Sequence, residues 1–383
     1  MASTQCPQRQ LTRWYPELER NLPHLSRPQR RTLALWTYAA TLTEHIGSST
    51  CAAFLATVFD TSENAFRQRL RECYRPAALK RGPRRRELEI QLVFGPLLRW
   101  ALKLLRPPEV VLTLDPTLCR DRLAVLCVAV VAHGCAIPVA WTALRANEPG
   151  AWMPHWKPML DRLHAVVPAR TTVLVLADRG LQSPDLFAEI RALGWHPMMR
   201  LTRLGSWRER GAGGWTPLAR MPLHPGESYV ARGHLFSTKS LACTLVGVWR
   251  EGFDAPWLLM TDLPPPRCER AFYGLRGWIE QGFRCAKAGG LRVERLRIED
   301  PVRAERVWLV VAVSLLWTHA VGAAPIEGEC FAEGFRRTLG VHRRGWLRLL
   351  GHVVRGGGLL LPRRVELAPY RVMTLAEIAR PPT

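Results

Sequence analysis

Three strand-forming runs follow one another in the middle of the chain: VVLTLDPT (110–117), RLAVLCVAVVAHG (122–134) and CAIPVAWTAL (135–144). Each run is rich in β-branched or apolar residues, and short polar turns separate the runs. This pattern predicts three neighbouring antiparallel strands.

The downstream sequence adds alternating helices and strands. A helix is predicted from Met153 to Val167, a buried strand in TTVLVLADRG (171–180), a helix capped by Ser183, and a short strand in HPMMRLT (196–202). The order β-β-β-α-β-α-β, followed by a later acidic helix, is that of the ribonuclease-H-like fold. By pattern and analogy, we therefore predict an α/β protein with such a core at 106–202 and 268–323.

The regions around this core have a different character. Residues 203–267 are rich in Gly, Trp and Pro and predict a β-rich insertion, because helical periodicity is lost there. A long apolar helix is predicted from about Pro301 to Val321. Residues 324–383 are basic and predict a helical C-terminal region for DNA contact or dimerisation.

Residues 1–105 predict a helical DNA-binding region, with a helix-turn-helix candidate between Ser49 and Tyr74. Arg67 and Arg71 lie four residues apart on its second helix, as on a helix that enters a major groove. An ordinary pair of bundle helices would have the same pattern, and the sequence leaves both interpretations open.

The composition favours a polyanionic partner, because 54 Lys and Arg against 32 Asp and Glu give a formal net charge of +22. The cysteines form no CxxC pair, and the N-terminus lacks the apolar core of a signal peptide. Two apolar runs approach membrane-span length, but 123–141 contains Gly134 and Pro138 and predicts strands, while 307–324 predicts a buried helix. We expect a cytoplasmic, nucleoid-associated protein with no membrane span.

Four polar residues recur on one helical stripe within FYGLRGWIEQGFRCAKAGG (272–290): Tyr273, Arg276, Glu280 and Lys287. At 100° per residue they fall within a narrow sector, and an adjoining stripe of Phe272, Leu275, Ile279, Phe283 and Ala286 gives the helix a face to bury. A surface helix with i,i+4 salt bridges would explain part of this pattern. The alternative is a carboxylate held beside a core among cations.

Two aspartates strengthen that alternative. Asp115 follows the apolar run VVLTL and Asp178 follows VLVLA, and residues at the carboxyl ends of strands face the ligand crevice of an open sheet. Three carboxylates suit Mg²⁺, and two such ions can activate an attacking oxygen and stabilise the leaving oxygen of a phosphodiester displacement.

The spacing Tyr-x2-Arg-x3-Glu-x6-Lys at 273–287, preceded by LTLDPT (112–117) and VLADRG (175–180), resembles the DDE transposases of bacterial insertion sequences of the IS-four type. The resemblance covers about 110–323. It implies that Asp115, Asp178 and Glu280 are the catalytic metal ligands for two Mg²⁺ ions, with Mn²⁺ able to substitute. It also implies cut-and-paste transposition, in which a homodimer cuts the terminal inverted repeats of its element in double-stranded DNA and joins them to target DNA.

The resemblance assigns further DNA contacts. Tyr273, Arg276 and Lys287 would bind phosphates, Trp257 in PWLLMTDLP (256–264) would stack a flipped base, and Thr261 would contact phosphate. Two alternatives stay open. One is a ribonuclease-H-like nuclease or resolvase without strand transfer, and the other is a transposase-derived DNA-binding protein that no longer cuts.

Overall fold

A computed structural model of the chain describes residues 7–80, 86–107, 109–146, 152–249, 251–268, 272–325 and 339–365. Within these residues, helices surround one ten-stranded sheet. The predicted α/β class is therefore confirmed.

The predicted core supplies one half of this sheet. Its strands are β1 (Val110–Cys119), β2 (Leu123–Ala132), β3 (Cys135–Arg145), β4 (Val173–Ala177) and β5 (His196–Arg200). They lie in the order β3-β2-β1-β4-β5; β2 is antiparallel to β1 and β3, while β1, β4 and β5 are parallel. Helices α6 (Met153–His164) and α7 (Pro184–Ala192) connect β3 to β4 and β4 to β5. The predicted element order is confirmed and is consistent with a ribonuclease-H-like core.

The β-rich segment supplies the other half of the sheet. Its strands are β6 (Ser206–Glu209), β7 (Thr216–Pro217), β8 (Ser228–Leu235), β9 (Leu241–Val248) and β10 (Trp257–Thr261). Strand β10 pairs antiparallel with β5, and the order then continues β9, β8, β6, β7. The segment therefore extends the core sheet and brings Trp257 close to the end of β5.

In the described part of the chain before the sheet, the α-helices are α1 (Pro7–Asn21), α2 (Arg27–Thr43), α3 (Ser48–Phe59), α4 (Glu63–Tyr74) and α5 (Phe94–Leu105). Helices α3 and α4 confirm the predicted helix pair at 49–74. On α4, Phe66, Leu70 and Cys73 are buried, whereas Arg67 and Arg71 are exposed. The apolar periodicity therefore identified the packed face of this helix correctly.

The apolar run near 307–324 forms part of α10 (Pro301–Ala323), whose N-cap Asp300 accepts from the Arg303 N–H at 2.8 Å. Among the described residues α10 is the one helix long and apolar enough to cross a membrane, but 94% of its most apolar window is buried in the protein. It packs against β3, α2 and α11 (Val341–Val354). The prediction of a buried helix is confirmed. In the predicted C-terminal helical region, α11 is helical, 355–365 form no helix, and 326–338 and 366–383 lie outside the described residues.

The helix expected to carry Tyr273, Arg276, Glu280 and Lys287 is shorter than predicted. Residues Phe272–Arg276 form a 3₁₀ segment, α9 spans Gly277–Ala286, and a four-residue helix, α8 (Pro265–Cys268), precedes them. Helix α9 ends because the chain folds back, with the Leu291 N–H donating to the Cys285 carbonyl at 2.9 Å. Lys287 therefore lies beyond the helix.

Helix α9 packs directly on β3 through Gly282. A Cβ at this position would lie 2.2 Å from the Ala136 carbonyl oxygen, which is far inside van der Waals contact. The absence of a side chain thus sets the distance between α9 and the sheet. This close approach positions Glu280, two residues earlier on the same helix.

Candidate active site

Asp115 and Asp178 lie side by side at one edge of the parallel strand pair. Strand β1 continues to Cys119, so Asp115 does not end its strand as expected; the extension pairs with β2. Parallel pairing between β1 and β4 nevertheless stops at Leu114 and Ala177. The two aspartates are therefore each the first residue after the last parallel pair, and this register brings them together.

Arg276 joins these aspartates to Glu280. Its Nη2 lies 3.1 Å from Asp115 Oδ2 and 3.4 Å from Asp178 Oδ2, and its Nη1 lies 3.3 Å from Glu280 Oε1. The three carboxylates predicted from the sequence thus converge, and the group at their centre is a guanidinium. Arg276 was expected to bind a DNA phosphate, but in this structure its charge faces inward.

The solvent exposure of the side chains increases across the site. The side chains of Arg276 and Asp115 are 14% and 15% exposed, against 31% for Asp178 and 68% for Glu280. Burial raises the pKa of Asp115 to about 6, although the neighbouring Arg276 charge opposes that rise. The pKa of Arg276 is raised, since its burial, which lowers it, is outweighed by the surrounding anions. The site therefore attracts cations, and its innermost carboxylate takes up a proton near pH 6 but is largely ionised at neutral pH.

The donor set fits a divalent cation in kind, because all three groups are hard oxygen ligands and already bind one positive charge. In this structure, however, the three groups lie farther apart than the ligands of one metal ion. Within the described residues, no three His, Cys, Asp or Glu side chains lie close enough to hold one metal ion. The carboxylates are spread around Arg276, whose Nε is buried and has no hydrogen-bond partner there.

Tyr273 contacts the end of β4, which Asp178 directly follows. Its hydroxyl donates to the Ala177 carbonyl at 3.3 Å, lies 3.5 Å from Asp178 Oδ1, and is buried with the rest of the side chain. Trp257 presents its ring edge-on at 5.5 Å between centroids, and Arg200 lies over the same indole at 5.5 Å. Tyr273 is therefore placed to hold Asp178, and its burial corrects the expectation that it binds a phosphate, whereas the half-buried Trp257 is accessible in part.

The sequence interpretation missed Arg200. It is the last residue of β5, which runs parallel to β4 and ends at the same edge of the sheet. The signal was available, since the rule applied to Asp178 also applies to the end of HPMMR.

Two predicted DNA contacts, Thr261 and Lys287, have no described contact with the carboxylates. Thr261 is fully buried in β10, and its hydroxyl accepts from the Leu263 N–H at 3.3 Å, which corrects the expectation that it faces phosphate. Lys287 follows α9 and lies near Cys119, where burial raises the pKa of the thiol and the Lys287 charge opposes it. Of the four signature residues, Tyr273, Arg276 and Glu280 are brought together.

The N-terminal helices carry a basic surface separate from the carboxylate site. Besides the exposed Arg67 and Arg71, a cleft of about 1100 Å³ opens between the start of α2 and the opposite flank of α4. Its cationic lining residues are Arg27, Arg31, Arg69, Lys80 and Arg86, with Glu72 as the acidic one. Both flanks of α4 therefore offer positive charge.

Comparison with known proteins gives one informative match. Residues 151–317 match a family model described as "Transposase DDE domain", a span that includes Asp178 and Glu280 but begins after Asp115. The chain matches none of the curated proteins compared with it. Among solved structures it is similar to the cryo-EM structure of the piggyBac transposase synaptic complex with hairpin DNA. That match has 11% identity and a TM-score of 0.41, over 86% of this chain and 72% of that one. The family match supports a DDE transposase.

Proposed function

We propose that this protein is a DNA transposase of the insertion-sequence type that cuts DNA at the terminal inverted repeats of its own element and joins the ends to target DNA. One observation carries the proposal: carboxylates from β1, from the end of β4 and from α9 all contact a single cation, Arg276. The match of residues 151–317 to the DDE domain supports it independently.

Asp115, Asp178 and Glu280 would hold the metal. When bound, Mg²⁺ or Mn²⁺ would stabilise charge on the attacking and leaving oxygens of the phosphodiester. The protein itself supplies three negative charges on rigid elements, because the β1–β4 register fixes the aspartates and Gly282 fixes α9. Tyr273 holds Asp178 in place through its hydroxyl.

DNA would reach the site along the edge where β4, β5 and β10 meet. Trp257 offers an aromatic face for an unpaired base, and such stacking contributes about 1–3 kcal/mol. The Arg200 guanidinium, which now lies over the Trp257 ring, would move to bind a DNA phosphate, because it can donate two parallel hydrogen bonds to phosphate oxygens. Lys287, Arg67 and Arg71 would contribute further phosphate contacts.

The net charge of +22 supports double-stranded DNA as the partner, both as element ends and as target. We infer a homodimer in the complex that holds two ends together, and action in the cytoplasm at the nucleoid. These inferences rest on the family resemblance.

A second candidate is favoured by the position of Arg276. A transposase-derived protein that binds DNA without cutting could keep the carboxylates permanently paired with this guanidinium, which they all contact. A nuclease without strand transfer would share the metal chemistry of the main proposal.

One experiment separates these candidates. The protein is incubated with Mg²⁺, a labelled duplex carrying the repeats that flank its own gene, and a supercoiled target plasmid. We expect cut ends and joined product from the wild type, and neither from Asp178→Asn, which should still bind DNA. The control Asp185→Asn changes an exposed aspartate on α7 that pairs with Lys239, and it should cut normally. Cutting without joining would indicate a nuclease, and DNA binding without cutting would indicate the silent form.

A further inference from the structure

We propose that Arg276 is an internal counter-ion which competes with divalent metal for the three carboxylates, so that the protein without DNA is held in a metal-poor state. This inference rests on the proposed function, since it assumes that the carboxylates are the metal site. This role of Arg276 differs from both roles considered from the sequence, a surface salt bridge within a helix and a permanent contact with a DNA phosphate.

The contacts define the competition. Asp115 Oδ2 and Asp178 Oδ2 both face the same nitrogen, Arg276 Nη2, at 3.1 and 3.4 Å, while Glu280 faces Nη1 at 3.3 Å. A metal bound by these oxygens would therefore occupy the space that the guanidinium fills. Retaining both would place like charges within a few ångströms of each other in a largely buried site, where repulsion is strong. Binding of one excludes the other.

Arg276 is held in this position chiefly by charge. It is the N-cap of α9, where a cation is disfavoured by the helix dipole, and its Nε is buried without a hydrogen-bond partner in the described part of the chain. These two costs are offset by the three carboxylates. If metal neutralises those carboxylates, the reason for the inward position disappears.

A released Arg276 would lie beside Tyr273 and close to the surface formed by Trp257 and Arg200. A DNA phosphate there would provide the partner that the carboxylates no longer offer, because a guanidinium binds phosphate through two parallel hydrogen bonds. DNA binding and metal binding would then favour each other. By linkage, DNA should raise the affinity for metal by the same factor as metal raises the affinity for DNA.

The test measures Mn²⁺ binding to the full chain without DNA, by calorimetry and by loss of the free Mn²⁺ signal in electron paramagnetic resonance. Removing the competing charge in Arg276→Gln should tighten Mn²⁺ binding by about tenfold or more, within the usual range of coupling between sites. The control Arg284→Gln removes an exposed cation from the same helix that has no described contact with the carboxylates, and it should change the affinity less than about twofold.

Three further measurements complete the test, and the first two show whether the variants are folded. The thermal midpoint of Arg276→Gln should be lowered without metal and raised by Mn²⁺ more than that of the wild type. Arg276→Lys, a single-point cation that cannot span three carboxylates, should bind Mn²⁺ with intermediate affinity. Adding the element-end duplex to the wild type should reproduce the tighter binding.

The outcomes distinguish this inference from the function it rests on. If wild type and Arg276→Gln bind Mn²⁺ equally, and Asp178→Asn abolishes that binding, the competition is refuted while the metal site stands. If neither protein binds Mn²⁺ with or without DNA, both the competition and the proposed function are refuted. Tighter binding in Arg276→Gln that is lost on adding Asp178→Asn supports both.

Discussion

Gly282→Ala tests the contact that positions Glu280. The new methyl would meet the Ala136 carbonyl oxygen at 2.2 Å, whereas ordinary contact begins at 3.4 Å, so α9 and β3 would have to separate by about 1 Å. Neither partner can yield cheaply, since both are backbone. Overpacking of this kind costs about 1–3 kcal/mol of folding free energy. A displacement of about 1 Å in a catalytic group can also cost about a hundredfold in rate.

The matched control is Gly277→Ala at the start of the same helix, where a Cβ would meet nothing within 4 Å. Alanine there should be neutral or stabilising by up to about 1 kcal/mol, because it has the higher helix propensity. Urea denaturation followed by circular dichroism gives both free energies of unfolding, and the cleavage assay gives the rates. Equal stability and equal activity of the two variants would refute the close packing of α9 on β3.

Other regions give independent predictions. Burial lowers the pKa of His319 to about 3 and that of His342 to about 4, both below the unfolded value of 6.5. Above pH 6.5 both histidines are neutral in the folded and the unfolded state, so the free energy of unfolding does not depend on their protonation. Below pH 6.5 the unfolded state binds protons first, and the free energy of unfolding should fall by about 1.4 kcal/mol per pH unit for each histidine. A flat profile between pH 6.5 and 4 in thermal unfolding would contradict this. Arg67→Ala with Arg71→Ala should reduce the slope of log K against log salt for duplex DNA by about 2, as measured by fluorescence anisotropy, and an unchanged slope would remove them from the interface. Trp257→Ala should weaken binding to a duplex with an unpaired end base by about 1–3 kcal/mol but spare a fully paired duplex, whereas equal losses on both would argue against stacking.

The order of strands and helices was predictable because it depends on local periodicity. The runs at 110–144 alternate with turns, and the continuous apolar run before Asp178 is typical of a buried parallel strand. The proximity of Asp115 and Asp178 was expected from the rule for carboxyl ends of strands, whereas Glu280, on α9, was expected from the helical stripe and the family resemblance. However, β1 does not end at Asp115 as predicted, because its pairing with β2 extends to Cys119 while its pairing with β4 stops at Leu114.

The features that could not be predicted from the sequence depend on contacts between distant segments. The inward position of Arg276 depends on Asp115, 161 residues away, and a helical wheel shows only its neighbour Glu280. The early end of α9 depends on the chain folding back over Cys285, which requires Gly290, since a Cβ there would lie 2.2 Å from that carbonyl. The burial of Thr261 follows from the pairing of β10 with β5.

The most direct test of a single metal site built from three distant segments is cleavage of the protein by Fe²⁺ bound in place of Mg²⁺. With the element-end duplex present, ascorbate and peroxide should release hydroxyl radicals that cut the backbone near residues 115, 178 and 280, as mapped by mass spectrometry. Asp178→Asn should lose all three cuts together, and excess Mg²⁺ should suppress them. Cuts confined to one segment, or placed elsewhere and insensitive to Asp178→Asn, would contradict the metal site.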